Sequence, residues 1–275
     1  MEARARFRTH VARLALARTI SVTGGRVANI ALLAVIYAES GGSGAWVGAA
    51  VLTQFGTSVL VAPWAGAIGD RFDRRRVMIV SDLSSSVVFV AVAFAHSPSV
   101  LIALIAIGSV TTTPFGPASS AFLVMLVPEA ERARATAARA SGVAIGTVLG
   151  GVLGGVLVAA FGGETAFLVN AASFVASALL VLSIPGRFGA ARSSDPAHAG
   201  IWAGVRFISR HEALRLVIAA NGAALIGYGM INVGEFPLFA MLGSGALGFG
   251  IATAGYGVGN FDFSLGINTL EGAAR

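Results

Sequence analysis

Apolar stretches of about 20 residues or more recur along this chain between short charged or glycine-rich breaks, and that repetition leaves few folds open. A hydrocarbon core about 30 Å thick takes roughly 20 helical residues to cross. Backbone polar groups inside it must be satisfied within each segment, which a helix does. The stretches predict helices over Leu14 to Ala38, Ala45 to Gly69, Val77 to Ala95, Val100 to Val127, Ala135 to Phe161, Thr165 to Ile184 and Leu214 to Ala240. A Gly-rich eighth helix begins near Leu247. Only 12% of the 275 residues are charged, about half the level that clothes a soluble domain. The expected fold class is therefore an all-α integral membrane protein.

The charges that remain are informative. All 19 basic residues are Arg, and a Walker A loop needs a Lys after its glycines, so that phosphate-binding route is closed. With no Cys there is no disulfide framework, thiol nucleophile or Cys-bearing metal site. His10, His96, His198 and His211 all fall in or beside connections, and the "HEALR" at His211 lacks the second His of a zinc-protease helix. "GGSGA" at Gly41 is not a nucleophile elbow, and "GYGVGN" at Gly255 has no strand-helix unit around it. No metal, no cofactor and no enzymatic activity are expected.

The arginines sort by connection. Arg4, Arg6, Arg8 and Arg13 precede the first helix, Arg71, Arg74, Arg75 and Arg76 follow the second, Arg132 and Arg134 follow the fourth, and Arg187, Arg192, Arg206, Arg210 and Arg215 lie between the sixth and seventh. The opposite connections, at Glu39 to Gly44, His96 to Ser99, Gly162 to Glu164 and Met241 to Ala246, have none. This alternation is the positive-inside pattern, and it places the N-terminus of a multi-pass membrane protein in the cytoplasm. Anionic headgroups account for the basic balance, so nucleic acid is not an expected partner. The first helix is read as retained, because it is too long for a signal peptide and carries Arg18 and Arg26. One long connection, "GRFGAARSSDPAHAG" and the amphipathic "IWAGVRFISRHEALR" with Ile201, Val205 and Ile208 on one face, divides the chain. The division gives a six-helix bundle over 1–185, a cytoplasmic linker over 186–213 and an incomplete second bundle over 214–275.

"GAIGDRFDRRR", Gly66 to Arg76, carries the strongest signal. Paired glycines admit a neighbouring helix, Asp70 can face a helix N-terminus, and the arginines suit lipid phosphate or helix-end carboxylates. This run resembles the signature loop of the major facilitator superfamily. "FGPASSA" at Phe115, "LVPEAERARATA" at Leu126 and "GVRFISRHEALR" at Gly204 agree with it, so that the resemblance covers roughly residues 10–259. Asp73, where many members have Gly, is similar to the transmembrane secretion effector branch, which resembles the enterobactin exporter. The resemblance implies a conformational-switch loop at Gly66, Gly69, Asp70, Arg71, Arg74 and Arg75 that latches two six-helix bundles together.

On the fifth helix Gly142, Gly146, Gly150 and Gly154 recur every four residues beside Gly151 and Gly155, which makes a bare groove for another helix. The segment also resembles the superfamily's antiporter signature, with Thr147 where a Pro would stand. Polar residues inside spans are the default candidates for a transport path. Thr19, Thr23 and Arg26 fall within about 60° on the first helix, with Asn29 at the edge. Arg18 can snorkel to the surface, whereas Arg26, about 12 Å deeper, needs the cavity or a structural pairing with Asp82 or a helix C-terminus. Gly25 stands where family members often have an acidic residue. Ser109, Thr112 and Ser119 share a face of the fourth helix, which Pro114 and Pro117 bend. Asn221, Tyr228, Asn232 and Glu235 form a stripe on the seventh, and Glu235 is either a protonation site or an interfacial carboxylate.

After Gly259 the text "NFDFSLGINTLEGAAR" places Asp262 in mid-span, and a frameshift or early stop is the expected cause. The family resemblance implies proton-driven efflux of a small hydrophobic, drug-like or siderophore-like molecule, by a protein of which this chain is an incomplete, singly inactive part. The expected partners are the lipid bilayer, that small molecule and protons. A membrane regulatory subunit, pairing with a second chain through the Gly stripe, and an uptake transporter are the alternatives.

Overall fold

The computed structural model describes the backbone of residues 2–185 and 201–273, and the side-chain surroundings of 9–259 other than 70, 186–205, 225, 226 and 228. Among the described residues every element is helical: α1 (Glu2–Glu39), α2 (Gly44–Arg71), α3 (Arg74–Ala93), α4 (Pro98–Thr112), α5 (Phe115–Leu126), α6 (Arg132–Leu182), α7 (Ile201–Arg210), α8 (Glu212–Met241) and α9 (Gly245–Ala273). A short 3-10 turn, Glu129–Glu131, joins α5 to α6. Six helical segments are long and apolar enough to cross a membrane, and one of them, Glu129–Leu182, is long enough to cross and return.

That return is made at Gly162, whose φ of 81° and ψ of 173° interrupt α6. Residues before it climb along α1: Gly142 lies against Ala15 and Thr19, and Gly154 against Val27 and Ile30. Residues after it descend, so that Val181 and Ser183 return to the level of Arg13 and Arg75. A residue with a Cβ is disfavoured at positive φ by about 1–2 kcal/mol. Gly162→Val is expected to destabilise the chain by roughly that amount, read as a lower unfolding midpoint in detergent, although the space there is open.

The fourth predicted span divides at Thr113 and Pro114 into α4 and α5. Both residues keep α-region backbone, so the chain continues in direction. The interruption follows from the amide hydrogen that Pro114 lacks. Pro117, in the first turn of α5, removes a donor that has no intrahelical partner there in any case.

α6 is the centre of the assembly and packs against α1, α3 and α9. Its glycines present two faces. Gly142, Gly146, Gly150 and Gly154 receive α1, while Gly151 and Gly155 receive Gly250, Ala254 and Ala246 of α9. The groove expected for a neighbouring helix is therefore occupied twice by this chain itself. α3 is fastened by hydroxyls: Ser81 and Ser85 bond Thr111 of α4 at 2.5 and 2.9 Å, and Ser86 bonds the Ala171 carbonyl of α6 at 2.9 Å. Such bonds bind helices together where the surroundings offer no water.

α8 and α9 lean on the bundle at the end away from the arginines. Phe236 meets Tyr37 and Phe249 edge-on, both at 5.8 Å, and Val233 lies over Gly48. α9 runs as helix across residue 260 to Ala273, through the stretch where the sequence leaves the small apolar residues of a span. The side chain of Asp262 and the linker over 186–200 lie outside the described residues.

Candidate functional site

Two regions collect the polar residues: the arginine-rich end and a cavity inside the bundle. At the first, Phe72 and Asp73 make the turn between α2 and α3. The Asp73 carboxylate accepts from the Arg76 amide at 3.0 Å and caps α3, which gives this carboxylate a local structural reason. Asp73→Ala is expected to cost about 1 kcal/mol of stability in a denaturation midpoint, the usual worth of an N-cap.

Arg75 reaches the C-terminus of α6, donating from Nε to the Val181 carbonyl at 3.2 Å and from Nη2 to the Leu182 carbonyl. Arg13 of α1 donates to the adjacent Ser183 carbonyl at 2.7 Å. Two guanidiniums thus meet the negative end of one helix dipole, where terminal carbonyls lack intrahelical partners. Arg74 contacts the Met125 sulfur, and Arg71 lies over the Phe72 ring at 6.0 Å. Gly69 faces the Ala118 backbone of α5 at ordinary van der Waals distance, whereas Gly66 has open space around it. The side chain of Asp70 lies outside the described residues.

The cavity has a volume of about 370 Å³ and is lined by α1 through α6. Arg18, Arg26, Asn29 and Gly25 come from α1, Gln54 and Ser58 from α2, Asp82 from α3, Ser109 and Thr112 from α4, Phe115 from α5, and Asn170 and Phe174 from α6. Asn29 donates to Gln54 at 3.2 Å across the α1–α2 seam. Arg18 does not snorkel outward: its guanidinium lies over the Phe115 ring at 5.6 Å, its Nε is buried, and it is in electrostatic reach of Asp82. Asp82, 1% exposed, sits beside Ser177 with Oδ2 lacking a hydrogen-bond partner among the described residues.

The expected stripe on α1 is rotated in the folded chain. Arg26 and Asn29 reach the cavity, but Thr19 and Thr23 face the glycines of α6 and donate to Ala15 and Thr19 carbonyls one turn back. A threonine hydroxyl satisfied by its own helix needs no polar neighbour, so its polarity did not mark the wet side. On the fourth span Ser109 and Thr112 line the cavity, while Ser119 is buried away from it with no hydrogen-bond partner among the described residues. Thr147 donates to the Val143 carbonyl at 2.9 Å, and its helix departs from α geometry only at Gly162.

The α8 stripe lies apart from the cavity. Asn221 is exposed and bonds the Val217 carbonyl at 2.9 Å, Asn232 is buried, Glu235 is half-buried, and the Tyr228 side chain lies outside the described residues. Gln54, Asn170 and the cavity-facing turn of Arg18 were not anticipated. The available signal was each one's place as a lone polar residue within an otherwise apolar run.

A profile of the Major Facilitator Superfamily matches residues 14–267. The chain belongs to this superfamily. Its family is one of membrane transporters, which points to transport rather than to enzymatic chemistry. An uncharacterized MFS-type transporter, YfiS, of Bacillus subtilis (strain 168) is 23% identical over 191 residues, 68% of this chain and 45% of the relative. In fold the chain is similar to a bacterial homolog of the human lysosomal transporter Spinster in an inward-facing, unoccupied conformation, with 18% identity, TM-score 0.69, and 90% of this chain against 60% of that one. It is also similar to a D-xylose-proton symporter, with 15% identity, TM-score 0.62, and 95% against 69%. A peptide transporter, POT, in complex with sulfate gives 16% identity, TM-score 0.59, and 80% against 46%. The chain spans about half the length of the curated relative it matches.

Proposed function

We propose that this superfamily bundle, working with a second six-helix bundle, exports a small hydrophobic, drug-like or siderophore-like molecule in exchange for protons. The observation that carries the reading is the cavity, in which α1 through α6 all place side chains around Arg18, Arg26 and Asp82 inside apolar spans. Ionisable groups at that depth are costly in hydrocarbon and mark a substrate or ion path. The arginine-rich end is assigned to the cytoplasm of a bacterial inner membrane, on the side where basic loops are retained. There Arg75 and Arg13 hold the end of α6, and the loop from Gly66 to Arg76 acts as the switch. Asp73 in that loop supports the branch that resembles the enterobactin exporter.

Alternating access rocks one bundle against the other around a central site, so transport is assigned to this bundle together with a second. Pairing with a regulatory partner through the Gly stripe has less support, because α1 and α9 already fill both of its faces.

Everted membrane vesicles test the reading, with a lipophilic dye and a catecholate siderophore as probes. Vesicles holding the 275-residue chain with a separately produced second bundle are expected to accumulate a probe until a protonophore collapses the gradient. Vesicles holding the chain alone are expected to accumulate none. Uptake by the chain alone would remove the need for a second bundle, and protonophore-insensitive flux would remove proton coupling. Flux in the opposite direction would make the protein an importer.

A further inference from the structure

The hydrogen-bonding groups left over in the cavity are unequal in kind, and the inequality bears on what it holds. Its charged lining residues are Arg18, Arg26 and Asp82, two cations against one anion. Asp82 lies in electrostatic reach of Arg18, which leaves Arg26 as the surplus charge. Arg26 is half-buried on the cavity wall and has no hydrogen bond or ion pair among the described residues. Beside it Gly25 leaves open space, with no atom within 4 Å of where a Cβ would stand.

Asn170 adds a second, independent sign. It is 0% exposed, it lines the cavity, and its Nδ2 donor has no partner among the described residues while its Oδ1 accepts from the Ser173 hydroxyl. A buried amide donor without a partner costs about 1–3 kcal/mol, a cost that a ligand acceptor would remove. Of the lining hydroxyls, Ser58 and Thr112 spend their protons on carbonyls of their own helices at 2.8 and 2.9 Å. Phe115, Phe174, Phe89 and Ile105 complete an apolar wall. A volume of about 370 Å³ is within the size range of small-molecule sites.

We infer that the cavity takes an organic anion, with a carboxylate, sulfonate or phosphate group on Arg26 and the Asn170 amide and an aromatic or aliphatic body against the phenylalanines. The inference rests on the cavity being the substrate site and adds the charge of what enters it. A guanidinium presents a planar fork of donors that matches such oxyanions, and low dielectric strengthens the pairing. A cationic drug would meet repulsion at the same wall. The head group of an anionic lipid shares this chemistry with a soluble anion, and the measurement separates them.

Equilibrium dialysis of the purified 275-residue chain in a neutral detergent provides that measurement, with empty micelles as the reference. Three probes of one shape are compared: naphthalene-2-sulfonate, its neutral sulfonamide, and 2-naphthylmethylammonium. The sulfonate is expected to bind saturably, and the other two more weakly. Arg26→Gln is expected to lower sulfonate affinity by about tenfold or more, the size of one charge-assisted hydrogen bond. Arg26→Lys should recover part of it, and Arg132→Gln on the exposed start of α6 should change nothing. Displacement by phosphatidylglycerol would identify a lipid head group as the anion, and persistence would identify a soluble one.

Equal or tighter binding of the neutral or cationic probe overturns the inference. So does an unchanged affinity in Arg26→Gln, or an absence of saturable binding in a sample that is monodisperse by size exclusion. None of these outcomes bears on proton-driven flux in vesicles, so the transporter reading stands or falls separately.

Discussion

Gly150→Leu is expected to prevent α1 and α6 from closing on each other, with loss of most of the monodisperse protein and a marked fall in the unfolding midpoint of what remains. A Cβ at Gly150 would stand 2.6 Å from both the Thr23 carbonyl and the Arg26 Cβ. The Thr23 obstacle is backbone, which a rotamer change cannot move. Overpacking a close interface costs about 1–3 kcal/mol where side chains can yield, and the backbone contact places this variant at or above the upper end. Gly25→Leu is the matched control, because that glycine faces open cavity, and it is expected to leave stability nearly unchanged. Thermal unfolding followed by size exclusion checks both.

The second large effect belongs to Arg18 and Asp82. Arg18→Gln would leave a carboxylate that is 1% exposed without the cation in its electrostatic reach, and it is expected to lower stability by less than the roughly 3–5 kcal/mol of breaking a contacting buried pair, since no salt bridge joins the two among the described residues. Asp82→Asn should cost less, since Arg18 is only half-buried and cavity water can reach it. The double variant Arg18→Gln with Asp82→Asn is expected to recover much of the stability lost by Arg18→Gln, because no uncompensated charge remains between them. Unfolding midpoints of the four proteins form the cycle that measures this coupling. Additive losses would mean that the two groups do not sense each other.

These expectations show which parts of the molecule could be read in its sequence. Long apolar runs told that the chain is built of membrane-crossing helices, because the length that crosses hydrocarbon is a property of the bilayer, but not that the fifth and sixth would run on as one segment or that the fourth would divide at Pro114. The glycine period on the fifth span told that a helix would approach closely, and the Arg-rich loop told which family to expect. What could not be read was the facing of individual polar residues. Thr19 and Thr23 look like cavity residues by angle, yet each is satisfied by its own helix and packs against glycine. Arg18 looks close enough to the end of its helix to snorkel, but Phe115 and Asp82 offer it an inward berth that exists only once α3 and α5 are placed. The stripe on α8 showed the converse. Asn221 is exposed and bonded to its own helix while Asn232 is buried, so a shared angle did not give them a shared environment.

Transport through this bundle requires that water and solutes reach the cavity at Arg26. The chain has no cysteine, so single cysteines report without background. The most direct measurement is the rate at which a charged, membrane-impermeant methanethiosulfonate modifies Gly25→Cys in the cavity, compared with Val59→Cys, a residue 65% exposed on the outer face of α2. The account predicts that Gly25→Cys reacts many times faster than Val59→Cys in intact vesicles, since only the former meets water. Equal, slow modification of both would contradict it and make the polar groups of the cavity a packed core.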